Sequence, residues 1–142
     1  MKALPSLLLV GLLGCGPAMN RNASSLAAPG TLLITAEQIE KSGASTAWQV
    51  LKQNAPMLTM REDQNGHPQS MGRRGRSSFV LSEAPIILLD GVRVPDFRSL
   101  DVIDAQTIST ILIYDGVEGT TYYGTDAVSG VILIKTKDGR RS

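Results

Sequence analysis

The sequence has few of the residues that most often build metal centres. Its one cysteine excludes an intrachain disulfide and a zinc site of several cysteines, and its one histidine argues against a histidine-based metal site. Aromatic residues make up 4% of the chain, and 14 basic residues balance 13 acidic ones. A base-stacking surface and a basic nucleic-acid-binding surface are therefore not expected. We predict no metal, no cofactor and no nucleic-acid partner.

The side chains that could catalyse a reaction are scattered along the chain. His67 lies between a glycine and a proline, which is typical of a turn residue in solvent. Asp90 precedes a glycine at the end of an apolar run, a position that usually serves turn chemistry. The serines of the preceding polar segment lack the Gly-Xaa-Ser-Xaa-Gly pattern of a nucleophile elbow; they are Ser77, Ser78 and Ser82. We therefore predict no catalytic residue and no enzymatic activity.

The N-terminus has the composition of a targeting segment. Lys2 supplies a positive charge, and residues 3–13 are almost wholly apolar but too few to span a bilayer, which needs about 20 residues. The run ends in Leu-Leu-Gly-Cys and resembles the lipobox of bacterial lipoproteins. We expect a signal peptide over residues 1–14, lipid attachment at Cys15 and a flexible tether over residues 15–30. The alternative is an ordinary secretory signal with a chance cysteine.

Two short helices are predicted where the folded part begins. Thr35 has a glutamine three residues later, which is the spacing of a capping box, so a helix should follow it and stop at Gly43. Thr46 repeats this spacing and should begin a second helix. That helix should end before Pro56, because the residue before a proline is displaced from the helical region.

Three short apolar runs predict strands at residues 86–89, 111–114 and 131–134. The first run ends in Asp90 and a glycine, a pair that suits a tight turn into another strand. Continuous apolar runs are typical of strands covered on both faces, so the third run is predicted to be a central strand buried on both sides. A strand at residues 57–60, a strand within residues 70–80 and a helical turn near residues 101–106 are also expected.

Several motifs, in order, resemble the plug domain of TonB-dependent outer-membrane receptors. The resemblance extends from Ile34 to Lys137 and includes an Arg-Gly pair at Arg74. The other matching segments are Leu88-Leu-Asp-Gly-Val, Ile108-Ser-Thr-Ile-Leu-Ile, Tyr123-Gly-Thr-Asp-Ala and Gly130-Val-Ile-Leu-Ile-Lys-Thr-Lys. The resemblance implies an α+β fold, with a small mixed β-sheet and short helices, over residues 31–137, followed by a tail of residues 138–142. It also implies that the protein is located at the outer membrane.

The sequence departs from this family in ways that bear on function. Thr110 occupies the position of a family glutamate, and Asp115 stands where a basic residue is common. A receptor barrel of about 22 strands needs over 200 residues, roughly 9 to 11 for each strand. Only five residues follow Lys137 in this sequence, and no TonB box is evident near its start. We therefore expect a plug-like module without a transport pore of its own.

Five residues are candidates for binding loops: Arg73, Arg74, Arg76, Tyr122 and Tyr123. The arginines could bind an anionic group such as a lipid A phosphate or a peptidoglycan carboxylate, although a solvated strand face is the simpler interpretation. The tyrosines are interpreted as packing residues at the start of a short helix. Residues 119–123 could form a surface loop with binding potential.

These observations favour a lipid-anchored interaction module on the periplasmic face of the outer membrane. One alternative is an accessory subunit that docks in trans on a TonB-dependent β-barrel transporter. An enzyme acting on envelope polymers is a second alternative, opposed by the lack of a paired acid and base. A decayed receptor fragment is a third, opposed by the intact lipobox and the uninterrupted domain.

Overall fold

The computed structural model describes residues 30–74 and 84–137. Predictions for the signal peptide, for Cys15 and Arg76, for the three serines and for the C-terminal tail concern residues outside these ranges. The α-helices are α1 (Ala36–Ser42), α2 (Ala47–Asn54) and α3 (Gly116–Tyr123). The strands are β1 (Thr31–Thr35), β2 (Leu58–Glu62), β3 (Pro68–Arg73), β4 (Ile86–Leu89), β5 (Val92–Val94), β6 (Ile108–Tyr114) and β7 (Val131–Thr136). Three 3-10 turns lie at Phe97–Asp101, Ala105–Thr107 and Thr125–Ala127.

Five of the strands form one mixed sheet in the order β1-β6-β7-β4-β5. Strands β4 and β7 are parallel, and the other neighbours in the sheet are antiparallel. Strands β2 and β3 form a separate antiparallel hairpin. This arrangement confirms the predicted α+β fold with a small mixed sheet, and it confirms that residues 131–134 form a central strand.

The helix ends follow the predicted capping chemistry. The Thr35 backbone N–H donates to Gln38 Oε1 at 2.9 Å, and Gly43 ends α1 in the left-handed region with φ 64°. At the start of α2, the Gln49 backbone N–H donates to Thr46 Oγ1 at 3.3 Å. These bonds satisfy backbone donors that the first helical turn leaves without partners. The short capping motifs therefore set both helix starts.

The turn between β4 and β5 also follows the prediction. Asp90 and Gly91 have φ values of 48° and 86°, as a two-residue turn with both central residues in the left-handed region requires. The Asp90 carboxylate accepts bonds from the Thr136 backbone N–H at 2.9 Å and from Thr136 Oγ1 at 2.7 Å. These bonds lower the pKa of Asp90. The turn is thereby attached to the end of β7.

The main core lies on one face of the sheet, beneath α1, α2 and the β2–β3 hairpin. Trp48, Ile132 and Ile134 are at most 1% exposed there. The indole N–H of Trp48 donates to Glu62 Oε1 at 2.8 Å, and Lys52 forms an ion pair with the same carboxylate. These bonds lower the pKa of Glu62, and they attach α2 to the β2–β3 hairpin.

The other face of the sheet is covered less completely. Val131, Ile86 and Ala127 form a small buried cluster there, next to α3 and the 3-10 turn that follows it. Leu133 on β7 is only half-buried. The prediction that residues 131–134 are buried on both faces is therefore correct for the core face and for Val131 on the other face. It is wrong for Leu133.

Several local predictions are wrong. Residues 31–35 form strand β1, for which no element was predicted. The helical turn expected near residues 101–106 is instead divided into two 3-10 turns. Tyr122 and Tyr123 end α3 rather than begin a helix, and residues 119–123 are helical rather than a loop. None of the helices in the described ranges is long and apolar enough to cross a membrane.

Candidate interaction surface around helix α3

The start of α3 is organised by Asp115. Its Oδ1 accepts bonds from the backbone N–H groups of Val117 at 2.8 Å and Glu118 at 2.9 Å. The Asp115 backbone N–H donates to Gly30 O at 2.9 Å, and Glu118 accepts a bond from the Thr31 hydroxyl. The first turn of α3 is therefore attached to the beginning of β1.

Arg73 joins this site from the β2–β3 hairpin. Its Nη2 lies 3.9 Å from Asp115 Oδ2, with 29% of the Arg73 side chain and 24% of the Asp115 side chain exposed. Arg74 is exposed, and its backbone N–H donates to Met57 O at 2.9 Å. The two arginines therefore differ, because Arg73 pairs with a carboxylate while Arg74 points its charge toward solvent.

Three tyrosines meet at the sheet end that carries α3. The Tyr114 ring centroid lies 5.5 Å from that of Tyr122 and 6.4 Å from that of Tyr123, with tilted ring planes. Burial raises the pKa of Tyr114, and the neighbouring tyrosines add to this effect. Tyr122 is 68% exposed and Tyr123 is 40% exposed, so both rings pack on Tyr114 while also facing solvent. Such an arrangement can supply an amphipathic contact area.

His67 belongs to a different part of the surface. Its Nδ1 lies 3.0 Å from Asp101 Oδ2, and 66% of its side chain is exposed. The bond to Asp101 raises the pKa of His67, and the charge of Asp63 acts in the same direction. The prediction of an exposed turn residue holds, but sequence reasoning missed the bond to Asp101. Within the described ranges, no three potential metal ligands come together.

A groove of about 580 Å³ lies at the opposite end of the sheet from α3. Ile39 and Ala105 contribute its apolar part, and Lys137 Nζ lies 3.4 Å from Glu40 Oε1 at its edge. The Asp104 carboxylate accepts a bond from the Gln106 backbone N–H at 2.8 Å. The carboxylates that line this groove are therefore already engaged within the protein.

Sequence reasoning missed the Asp115 cap and the exposed Val117 of α3. In the sequence, Asp115 was noted only as a departure from the family pattern. A signal was present, since Asp115 and Glu118 have the spacing of a helix start with an acidic third residue. The Arg73–Asp115 pair joins residues far apart in sequence, so no local pattern predicts it.

The mixed sheet with short helices is the α+β fold that the plug-domain resemblance implied. The family model described as TonB-dependent Receptor Plug Domain matches residues 24–131. The chain belongs to this family. The vitamin B12 transporter BtuB of Vibrio vulnificus is 31% identical over 77% of this chain and 18% of its own length. The rhizobactin receptor of Rhizobium meliloti is 34% identical over 72% of this chain and 13% of its own length.

Solved structures with the same fold include a receptor and a peptide importer. The ferric enterobactin receptor PfeA of Pseudomonas aeruginosa aligns with a TM-score of 0.59 and 26% identity, over 80% of this chain and 18% of that chain. The RagAB peptide importer in its open-open state aligns with a TM-score of 0.62 and 20% identity, over 79% of this chain and 12% of that chain. The chain thus spans between 12% and 18% of the lengths of these relatives.

Proposed function

We propose that this chain is a lipid-anchored interaction module of the outer membrane, held by a lipid at Cys15 and facing the periplasm. Membership of the plug-domain family supports the outer-membrane setting. The Leu-Leu-Gly-Cys sequence supports the anchor. The named relatives are receptors and transporters, so the proposed role is binding rather than catalysis.

The observation that carries the binding role is the exposed apolar surface of α3. Tyr122 is 68% exposed and Tyr123 is 40% exposed, and both pack against Tyr114 from a helix that is fixed by caps and by the Arg73–Asp115 pair. Clustered apolar side chains on a rigid element are typical of interaction sites, whereas single exposed ones need no explanation. The module therefore presents a preformed contact surface.

A specific observation favours a second candidate, an accessory subunit that docks in trans on a TonB-dependent β-barrel transporter. The domain has the fold of the equivalent region in the PfeA receptor structure. Arg74 and the α3 tyrosines would then lie against the wall of a barrel. Binding of this kind would need a barrel supplied by another protein.

Site-specific photocrosslinking in intact cells tests the role. A photoreactive residue at Tyr122 should give a crosslinked product, and the same residue at Val102, which is 84% exposed on a different surface, should not. A β-barrel protein in the Tyr122 product would favour the accessory-subunit candidate. Equal products from both positions, or none from either, would contradict an interaction surface at α3.

A further inference from the structure

The two edges of the mixed sheet differ in how they are protected. Strand β5 at one edge has three residues, with the exposed Arg93 in its middle and Pro95 directly after it. Short length, charge and proline are the usual protections of an edge strand against pairing with another chain. Strand β1 at the other edge has five residues, Thr-Leu-Leu-Ile-Thr, with no charge and no proline. The edge formed by β1 therefore lacks these protections.

The backbone of β1 bonds alternately to β6 and toward the free edge. At the end of the β1–β6 ladder, the Asp115 backbone N–H donates to Gly30 O at 2.9 Å. Hydrogen-bonded and non-hydrogen-bonded pairs alternate along an antiparallel ladder, so every second residue of β1 directs its N–H and C=O away from β6. These residues are Thr31, Leu33 and Thr35.

Two of these three residues leave their backbone groups available. The Thr35 N–H donates to Gln38 Oε1 at 2.9 Å, and its C=O, at the N-cap of α1, accepts the first bond of that helix. Within residues 30–74 and 84–137, β6 is the one strand that pairs with β1. Thr31 and Leu33 therefore each present one donor and one acceptor at the edge. Such groups select an extended strand as their partner.

We propose that β1 pairs with β1 of a second copy of this chain, antiparallel, about a two-fold axis at Leu32. In this register Thr31 of each copy lies opposite Leu33 of the other, so every available N–H meets an available C=O. An axis at Leu33 would instead place Thr31 opposite Thr35, whose backbone groups are already bonded within α1 and its cap. The register centred on Leu32 is therefore the one that uses all the available groups.

The charges near β1 are compatible with this pairing. Like charges that lie directly opposite each other destabilise a strand pair, and β1 contributes none. Two negative carboxylates lie near its start: Glu118 accepts a bond from the Thr31 hydroxyl, and Asp115 lies beside Gly30. Glu118 is on the sheet face that carries α3, and Asp115 is on the β6 side of β1, so neither lies between the paired backbones.

The pairing of single strands is a weak contact. Its area is small beside the roughly 1,200 to 2,000 Å² of a stable protein interface. A lipid at Cys15 would confine the copies to one membrane and raise their effective concentration. The occurrence of the dimer in cells therefore rests on the proposed function, whereas the complementarity of the β1 edge with itself does not.

Disulfide crosslinking of the full chain in bacterial membranes tests the pairing. The two Leu32 residues would form a non-hydrogen-bonded pair with Cα atoms about 4.5 Å apart, which is within the range of a disulfide. After oxidation, Leu32→Cys should give several-fold more dimer on a non-reducing gel than Val102→Cys, which is 84% exposed on another surface. The unmodified chain controls for Cys15. Equal dimer from both variants, or a crosslink of Leu32→Cys to a different protein, would overturn the proposal.

Leu33 provides two tests of the register. The two Leu33 residues would lie about 8 Å apart across the axis, too far for a disulfide, so Leu33→Cys should give much less dimer than Leu32→Cys. Adding Leu33→Pro to Leu32→Cys removes an N–H that faces the free edge and leaves the bonds to β6 intact. This double variant should lose most of the dimer while circular dichroism shows a folded domain. Dimer from Leu33→Cys equal to that from Leu32→Cys would contradict the register.

The Cys15→Ser background separates the pairing from the anchor. In cells, Cys15→Ser should lower the dimer formed by Leu32→Cys several-fold, because the copies are no longer confined to one membrane. In the purified chain at high concentration, the dimer should form again and keep its preference for Leu32→Cys over Val102→Cys. If Cys15 is not acylated but this preference remains, the proposed anchor is wrong and the β1 pairing stands. Loss of the preference in the concentrated chain would overturn the pairing itself.

Discussion

Ile132 is the residue whose replacement should reveal most about the core. It is fully buried in the central strand β7, with Ile113 of β6 and Ile87 of β4 directly opposite it. Replacing a buried isoleucine by alanine costs about 2 to 5 kcal/mol, and the cost rises when the site cannot collapse around the cavity. Because strands flank Ile132 on both sides, we expect Ile132→Ala to fall in the upper half of that range.

The control is Arg74→Ala. Arg74 is exposed, and its backbone bond to Met57 does not depend on the side chain, so the loss should stay within about 0.5 kcal/mol. Ile132→Asp should abolish folding, since an unpaired buried charge costs more than a cavity and the whole domain is stable by roughly 5 to 15 kcal/mol.

Urea unfolding measures both variants, and the fully buried Trp48 provides a fluorescence signal. With a slope of about 1 to 3 kcal/mol per molar urea, a loss of about 3.5 to 5 kcal/mol in Ile132→Ala should lower the midpoint by roughly 1 to 5 M. A larger loss for Arg74→Ala than for Ile132→Ala would refute the reasoning. The segment around Arg74 would then be structural, and residues 131–134 would not form the core strand.

Three further predictions concern the anchor, the domain and its pH dependence. Mass spectrometry of the mature N-terminus should show an acylated Cys15, and unchanged processing and membrane retention of Cys15→Ser would contradict this. Residues 31–137 alone should melt in one cooperative transition by circular dichroism, and a featureless trace would show that folding needs a partner. The bond to Asp101 raises the pKa of His67 above 6.5, so its stabilising effect should be present below pH 6.5 and lost as pH rises through the raised value. His67→Gln should therefore lower the melting temperature at about pH 5 and not at about pH 8.5, and an equal effect at both would contradict the bond.

Local chemistry explains which parts of the fold could be predicted. The α1 and α2 helices begin at the threonines with capping spacing, and the Asp90 turn adopts the backbone that an Asp-Gly pair favours. Strand β1 was missed because its partner, β6, lies more than 70 residues away along the chain. The bond between Trp48 and Glu62 was missed for the same reason, since it depends on tertiary packing.

The candidate site was predicted less well than the fold, because its residues meet through packing. Tyr122 and Tyr123 were identified as candidates, but their contact with Tyr114 depends on how α3 folds back onto β6. Arg73 was grouped with Arg74, whereas the structure gives it a carboxylate partner. Arg73 ends β3 and Arg74 lies just beyond it, so the two neighbouring arginines need not share a function.

The half-buried sheet face shows how a continuous apolar run can mislead, and which information the run still contains. Strands β6 and β7 read as unbroken runs, which favoured burial on both faces. Within these runs the residue types alternate: the core side carries Ile111, Ile113, Ile132 and Ile134, while the open side carries Leu112 and Leu133. The four isoleucines lie on the tightly packed side and the two leucines on the half-buried side, which they share with the buried Val131 and Ile86. The alternation of isoleucine with leucine has the period of a strand, so in these two strands it distinguishes the two faces where hydrophobicity alone does not.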